Sequence, residues 1–236
     1  MSENIKKITK AFKVDLDSGE NQSILKPSAR PFNNQAHQVN EVAKKIVEKI
    51  YKLIKGAKYP NDDIILSHNK IKEAFFSPFE PQLKDAQVFL SHSHADKNKA
   101  LKVKNYLESE TNHRVFIDSL FWDYKNNVLK EIKKHHIDVS KIEDAFTLIL
   151  RESLQDMIEK CHYFVFLQSN NSVSNQGLSR TTYSAWVYEE LKIAHSIRES
   201  RLTPMMESMQ VLHNISPFLE SLETITLKEL SQQINS

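Results

Sequence analysis

Glycine is nearly missing from this chain. Three occur in 236 residues, Gly19, Gly56 and Gly177, against a usual share of about 7%. Loops that cradle phosphates need closely spaced glycines, so that the backbone can approach the anion, and no such cluster exists here. Cysteine is scarcer still. Cys161 stands alone, which excludes an intramolecular disulfide and fits a reducing compartment. No run approaches the ~18 consecutive apolar residues of a membrane span, and the N-terminus lacks an apolar signal core. A cytoplasmic location is expected. Charge of one sign is absent too: 32 basic and 30 acidic residues leave a net +2. That imbalance is too small to mark a nucleic-acid or membrane surface, so neither partner is expected.

What is present describes an ordinary globular protein, 40% hydrophobic and 26% charged. Its length accommodates one domain of about 150 residues with an extension. Residues 1–36 are polar, interrupted by Pro27 and Pro31, and read as a loosely attached arm. From His37 to Lys55, Val39, Val42, Ile46, Ile50, Leu53 and Ile54 recur at three- and four-residue intervals. This spacing predicts an amphipathic helix, closed by Gly56 and Pro60. Its apolar side either packs on the main domain or serves self-association. A shorter helix is expected over Asn69–Phe76. Pro78 and Pro81 then place a boundary near residue 84, dividing a helical extension, 1–84, from a main domain, 85–236.

The main domain opens on Gln87-Val88-Phe89-Leu90-Ser91-His92-Ser93-His94-Ala95-Asp96. An apolar strand runs into a hydroxyl- and imidazole-rich turn, and a charged helical pattern over Lys97–Glu110 follows. His113–Asp118 is a second short strand ending in a carboxylate. Ser119–Tyr124, with Phe121, Trp122 and Tyr124, fits neither a regular strand nor a helix interior. A short helix is expected around Val128–Ile132, and another from a capping Asp144 to Glu159 that buries Leu148, Ile149, Leu154, Met157 and Ile158. His162–Leu167 is a near-continuous apolar run, as a central parallel strand covered on both faces requires. A Ser- and Asn-rich loop leads to a helix from Ala185. Leu202–Met206 and Leu222–Leu227 are weaker strand candidates, and Lys228–Ile234 a last helix. Strands alternating with helices predict an α/β fold with an open parallel sheet and helices on both faces. In such folds ligands meet the carboxyl ends of the strands.

Four of these stretches resemble the boxes of Toll/interleukin-1 receptor (TIR) domains. Val88–Asp96 is similar to the first box, an apolar strand ending in Ser-His with an Asp beyond it. Val115–Asp118 resembles the second strand, which leads to the family's long BB loop. Cys161–Ser169 resembles the third strand. Ser184-Ala185-Trp186-Val187-Tyr188-Glu189-Glu190-Leu191 resembles the helical box Ser-x-Trp-x-x-x-Glu-Leu. The resemblance covers residues 86–230, in order, and implies a flavodoxin-like sheet. The interval 118–144 is longer than most BB loops.

Enzymatic TIR domains cleave the nicotinamide–ribose bond of NAD⁺. The resemblance to the prokaryotic immune, Thoeris-like type implies a cytoplasmic enzyme of antiphage defence. It would take NAD⁺ as substrate, with no cofactor, and release ADP-ribose or a cyclic or conjugated ADP-ribose messenger to an effector protein. The family's catalytic glutamate falls on Glu190. Trp186 and Glu190 stand at i and i+4 and share a helix face. A fixed carboxylate suits an oxocarbenium-like sugar, and nicotinamide leaves as a neutral molecule. Ser91, His92, Asp96, Asp118, Trp122, Ser184 and Trp186 are candidates around the nucleotide. Asp96 can instead cap the helix from Lys97, and Ser184 the helix from Ala185.

Two rival readings stand beside this one. His92-Ser93-His94-Ala95-Asp96 imitates the His-x-His-x-Asp metal loop of metallo-β-lactamase-like hydrolases, but Lys97 follows where that loop has a histidine. No metal is expected. The other rival is a TIR scaffold without catalysis, which self-associates or recruits a partner through its BB loop. A homo-oligomer built on TIR–TIR contacts is expected under either.

Overall fold

The structure, a computed structural model, describes residues 10–26, 48–53, 68–76, 85–134, 140–176, 179–199 and 213–236. They fall into two compact units. Residues 1–27, 85–118 and 154–236 make the first, and residues 28–84 and 119–153 the second.

The first unit is an open five-stranded sheet, every pairing parallel, flanked by helices. Its strands are β1 (Lys10–Asp15), β2 (Ala86–Ser91), β3 (Arg114–Ile117), β4 (Tyr163–Gln168) and β8 (Glu223–Thr224), in the order β3-β2-β4-β1-β8. The expected α/β class is observed. Phe164, Val165, Phe166 and Leu167 of β4 are all buried, as a strand with two covered faces demands. Phe89 of β2 stacks on Phe164 at 5.7 Å between centroids and meets Phe116 of β3 at 5.4 Å. These rings form the middle of the core, where each buried aromatic contributes roughly 1.5–3 kcal/mol.

Residues 10–15 correct the reading of 1–36 as a loose arm. β1 lies inside the sheet, pairing with β4 from Lys10↔Tyr163 to Asp15↔Gln168 and with β8 on its other side. Its polar composition misleads. Ala11, Phe12 and Val14 are buried, whereas Lys13 extends its stem until the ammonium donates to the Leu219 carbonyl at 2.9 Å, a snorkelling that lets a lysine occupy an inner strand. Burial, then the charge of Arg180, hold that ammonium below the usual lysine range, with Glu220 acting the other way. The boundary at 84 likewise does not separate residues 10–26 from the sheet.

Helix α1 (Gly19–Ile24) follows β1, started by the Ser18 hydroxyl, which accepts from the Asn21 N–H. Buried Asn21 donates to the Asp15 carbonyl at 2.7 Å and accepts from the Leu227 N–H at 2.9 Å. It thereby fixes the start of the terminal helix α8 (Leu227–Asn235), whose Thr226 and Glu229 form a reciprocal capping box. Helix α3 (Lys97–Thr111) ends at Asn112, which is left-handed at φ 56°, a conformation asparagine tolerates. A small antiparallel sheet, β5 (Ser174–Gln176), β6 (Ser179–Thr182) and β7 (His213–Asn214), follows β4 in the chain. Helix α6 (Ala185–Glu199) comes directly after β6, and the short α7 (Ser216–Glu220) after β7.

The second unit is helical: a turn over 48–53, α2 (His68–Phe76), α4 (Ser119–Lys133) and the start of α5 (Ser140–Lys160), which passes into the first unit at Leu154. Here the aromatic stretch 119–124, expected to be irregular, is the first turn and a half of α4. Val128, Leu129 and Ile132 are buried in it. Asp144 does not cap α5, which begins a turn earlier at Ser140. Leu148, expected in the core, is 48% exposed and Leu150 is buried instead, whereas Ile149, Leu154, Met157 and Ile158 are buried as expected. Lys72 pairs with Glu152 at 3.6 Å. Buried Lys125 donates to Thr147 Oγ1 at 2.9 Å, and burial holds its ammonium below the usual lysine range against the pull of Glu143 and Asp144. Most of His37–Lys55 and all of Leu202–Met206 lie outside the described residues. Among the described residues no helix is long and apolar enough to cross a membrane.

Candidate functional site

Three adjacent parallel strands, β3, β2 and β4, end in polar residues at one edge. Asp118 follows β3, Ser91 closes β2, and Ser169 follows β4. Parallel pairing makes this convergence unavoidable, because every strand points its carboxyl end the same way. Helix α6 supplies the fourth component. Ser184 starts it, its hydroxyl accepting from the Val187 N–H at 3.2 Å, so the expected cap is present. One turn apart, Trp186 and Glu190 both face the strand ends.

Ser91 donates its hydroxyl proton to Glu190 Oε2 at 2.5 Å. Trp186 donates its indole N–H to Asp118 Oδ2 at 2.6 Å. Glu190 Oε1 and Asp118 Oδ1 are both buried, and the charge of Asp118 bears on the Glu190 carboxyl. Ser91 and Glu190 are fully buried and Asp118 is 5% exposed. Burial first, then the negative charge of Asp118, push the Glu190 carboxyl well above the usual carboxylate range; the Ser91 and Trp186 donors oppose the shift without reversing it. Two neighbouring carboxylates out of water resist ionising together. His92, also buried, turns Nδ1 to the Ser93 carbonyl at 2.7 Å. A carbonyl only accepts, so Nδ1 carries the hydrogen. Nε2 lies 3.6 Å from Asp118 Oδ1.

The structure thus gathers Ser91, His92, Asp118, Trp186 and Glu190, with Ser184 at the head of the same helix. It sets Asp96 apart. That carboxylate, 1% exposed, accepts from Ser93 Oγ at 2.7 Å, from Ser169 Oγ and from Asn171 Nδ2 at 2.9 Å, with Lys99 Nζ at 3.8 Å. It ties the turn after β2 to the loop after β4. Nor does its side chain cap α3, contrary to the second expectation for it. The neighbouring Lys99 also holds Asp17 Oδ1 at 2.8 Å, and Asp17 Oδ2 accepts from the Asn170 N–H at 3.0 Å. β2 and β4 flank the point where the strand order reverses, the usual ligand crevice of open α/β sheets. Here that crevice is stitched by protein side chains, and the carboxyl pair sits on the β2–β3 side. Trp122 belongs to α4, in the second unit, and its side chain lies outside the described residues.

Sequence reading placed Glu190 and Asp118 on the same edge but treated them as independent, and it gave Ser169 and Asn171 no part. The available signal was the polar residue ending each apolar run. Among the described residues no group of three or more His, Cys, Asp or Glu side chains is arranged to hold a metal. Compared with family models, with curated proteins and with solved structures, the chain matches none of them.

Proposed function

We propose that this chain is a TIR-type enzyme that cleaves the nicotinamide–ribose bond of NAD⁺. One observation carries the reading: a buried carboxyl pair, Glu190 with Asp118, oriented by Ser91 and Trp186 at the carboxyl edge of a parallel sheet. With one proton between them the two groups hold one negative charge. A ribosyl cation forming beside that charge is stabilised in surroundings that screen it little. Nicotinamide departs neutral with the bonding electrons, and water or another nucleophile then attacks the anomeric carbon. Water gives ADP-ribose; an atom of the substrate itself gives a cyclic product, and a second molecule a conjugate. Glu190 is the catalytic carboxyl, with Ser91, His92, Asp118, Ser184 and Trp186 around the nucleotide. Since Glu190 is fully buried, substrate entry requires the side chains around it to shift. Self-association is a natural trigger for that shift, and the product would serve as a messenger to an effector in antiphage defence.

The same burial favours a second reading. Ser91–Glu190 and Trp186–Asp118 would then be staples holding α6 to the strand ends in a non-enzymatic scaffold. The deciding experiment incubates the purified chain with NAD⁺ at low and high protein concentration. Nicotinamide and adenine-containing products are followed by chromatography with mass detection. Nicotinamide release by the wild type that falls in both E190Q and D118N supports the enzyme. Silence at every concentration, including in lysate from phage-challenged cells, leaves the scaffold.

A further inference from the structure

A standing carboxylic acid is more than NAD⁺ cleavage needs. The nicotinamide of NAD⁺ is a pyridinium, which leaves neutral without receiving a proton. Yet the site keeps one. Glu190 is fully buried and Asp118 nearly so, the charge of Asp118 bears on Glu190, and a pair of this kind retains a proton rather than two charges. Asp118 is the better seat for the charge. Its Oδ2 faces the Trp186 indole N–H at 2.6 Å, a group that can only donate, whereas the Ser91 hydroxyl at 2.5 Å from Glu190 Oε2 can donate or accept. The proton therefore rests on Glu190.

We propose that the pair also hydrolyses uncharged N-ribosyl bonds, those of purine nucleosides and their 5′-phosphates, with Glu190 as the acid and Asp118 as the base. A neutral purine bound through a ring nitrogen leaves poorly as an anion, and protonation of another ring nitrogen makes it a neutral leaving group. Glu190 gives its proton to the base as the glycosidic bond breaks, and the bonding pair goes to the purine. The Asp118 carboxylate faces the ribosyl cation and accepts a proton from the attacking water, whose oxygen bonds to the anomeric carbon. Transfer of that proton from Asp118 to Glu190 restores the resting pair. The sum is nucleotide plus water giving ribose 5-phosphate and free base. No other reactant is required.

The inference rests on the reading that the pair works at an anomeric carbon, and the test separates the two. The full chain is incubated with inosine 5′-monophosphate and, in parallel, with NAD⁺; hypoxanthine and nicotinamide are measured for wild type, E190Q and D118N. Hypoxanthine release by the wild type is expected. E190Q should lower it at least 100-fold, general-acid catalysis supplying roughly 10²–10⁴. Nicotinamide release should fall by at least tenfold less, since its leaving group needs no proton. D118N should lower both. Nicotinamide release without hypoxanthine release overturns this inference and leaves NAD⁺ cleavage standing. Hypoxanthine without nicotinamide does the reverse. Equal losses in E190Q overturn the acid role, and activity on neither substrate removes both readings. Thermal melts of each variant confirm that it is folded.

Discussion

Replacing Glu190 by Gln should stabilise the protein, and increasingly so as pH rises. The group's folded-state affinity for a proton is raised, by burial and by Asp118, while in the unfolded chain a glutamate ionises near pH ~4.3. Below that pH both states are protonated and the native contacts retain their full value. Above it the unfolded chain releases a proton that the folded chain keeps, so wild-type stability falls by about 1.4 kcal/mol per pH unit until the folded group also ionises. Glutamine never titrates. It preserves the shape and accepts from Ser91 through its carbonyl oxygen. The difference in unfolding free energy between E190Q and wild type should therefore be small near pH 4.5 and widen upward. For a chain of this length 1 kcal/mol moves Tm by roughly 2–4 °C, so the gap should grow by roughly 3–5 °C per pH unit. Melts by circular dichroism at half-unit steps from pH 4.5 to 8 measure it, and the comparison cancels every other titrating group. A gap that stays flat, or that closes with rising pH, would mean that Glu190 is ionised in the folded protein, and the proton assigned to it would be lost.

Other parts of the structure give independent expectations. Cys161 is buried, and burial pushes its thiol up to about 12; it should resist a thiol-specific disulfide reagent at pH 8 and react at once in denaturant. Asp96→Ala leaves Ser93, Ser169 and Asn171 without their shared acceptor and should cost about 3–5 kcal/mol, read as a drop in denaturant midpoint, whereas Ser169→Ala should cost about 1 kcal/mol. Ser184→Ala removes the cap of α6 and should cost ~1 kcal/mol; a loss of proposed activity beyond that fraction unfolded would give its hydroxyl a role at substrate. Phe89→Ala empties the aromatic centre of the sheet and should cost about 3–5 kcal/mol in chemical unfolding.

The sheet was legible where a strand is buried on both faces. The pattern Tyr163-Phe164-Val165-Phe166-Leu167 admits few other structures, and Val88–Ser91 differs only by a polar residue at the carboxyl end. β1 was not legible, because Lys10, Lys13 and Asp15 dilute a six-residue element whose apolar positions are few. Only tertiary pairing on two sides makes it a strand. The helix over 119–124 failed for the opposite reason: its aromatic cluster imitates an irregular loop, and the following Val128–Ile132 supplied the helical period too late in the chain. Glu190 stands out through the resemblance of Ser184–Leu191 to the helical TIR box, with its i, i+4 spacing from Trp186 in support. Its nearness to Asp118 does not, since nothing local in a chain shows which strand ends lie side by side. Asp96 was misassigned as a cap because its position before α3 is right, while Ser169 and Asn171, more than seventy residues away, compete successfully for its oxygens.

The position of β1 has a kinetic consequence. It lies between β4 and β8, and its first pairing is Lys10 with Tyr163. Closing so large a loop gives nothing back until the distant strand is in place. Chains dominated by such distant pairings fold in milliseconds to seconds rather than microseconds. During that interval β4, the most apolar strand of the sheet, offers an open edge to other chains. The segment that seems least essential in composition is thus the one that ends the period of greatest exposure to aggregation.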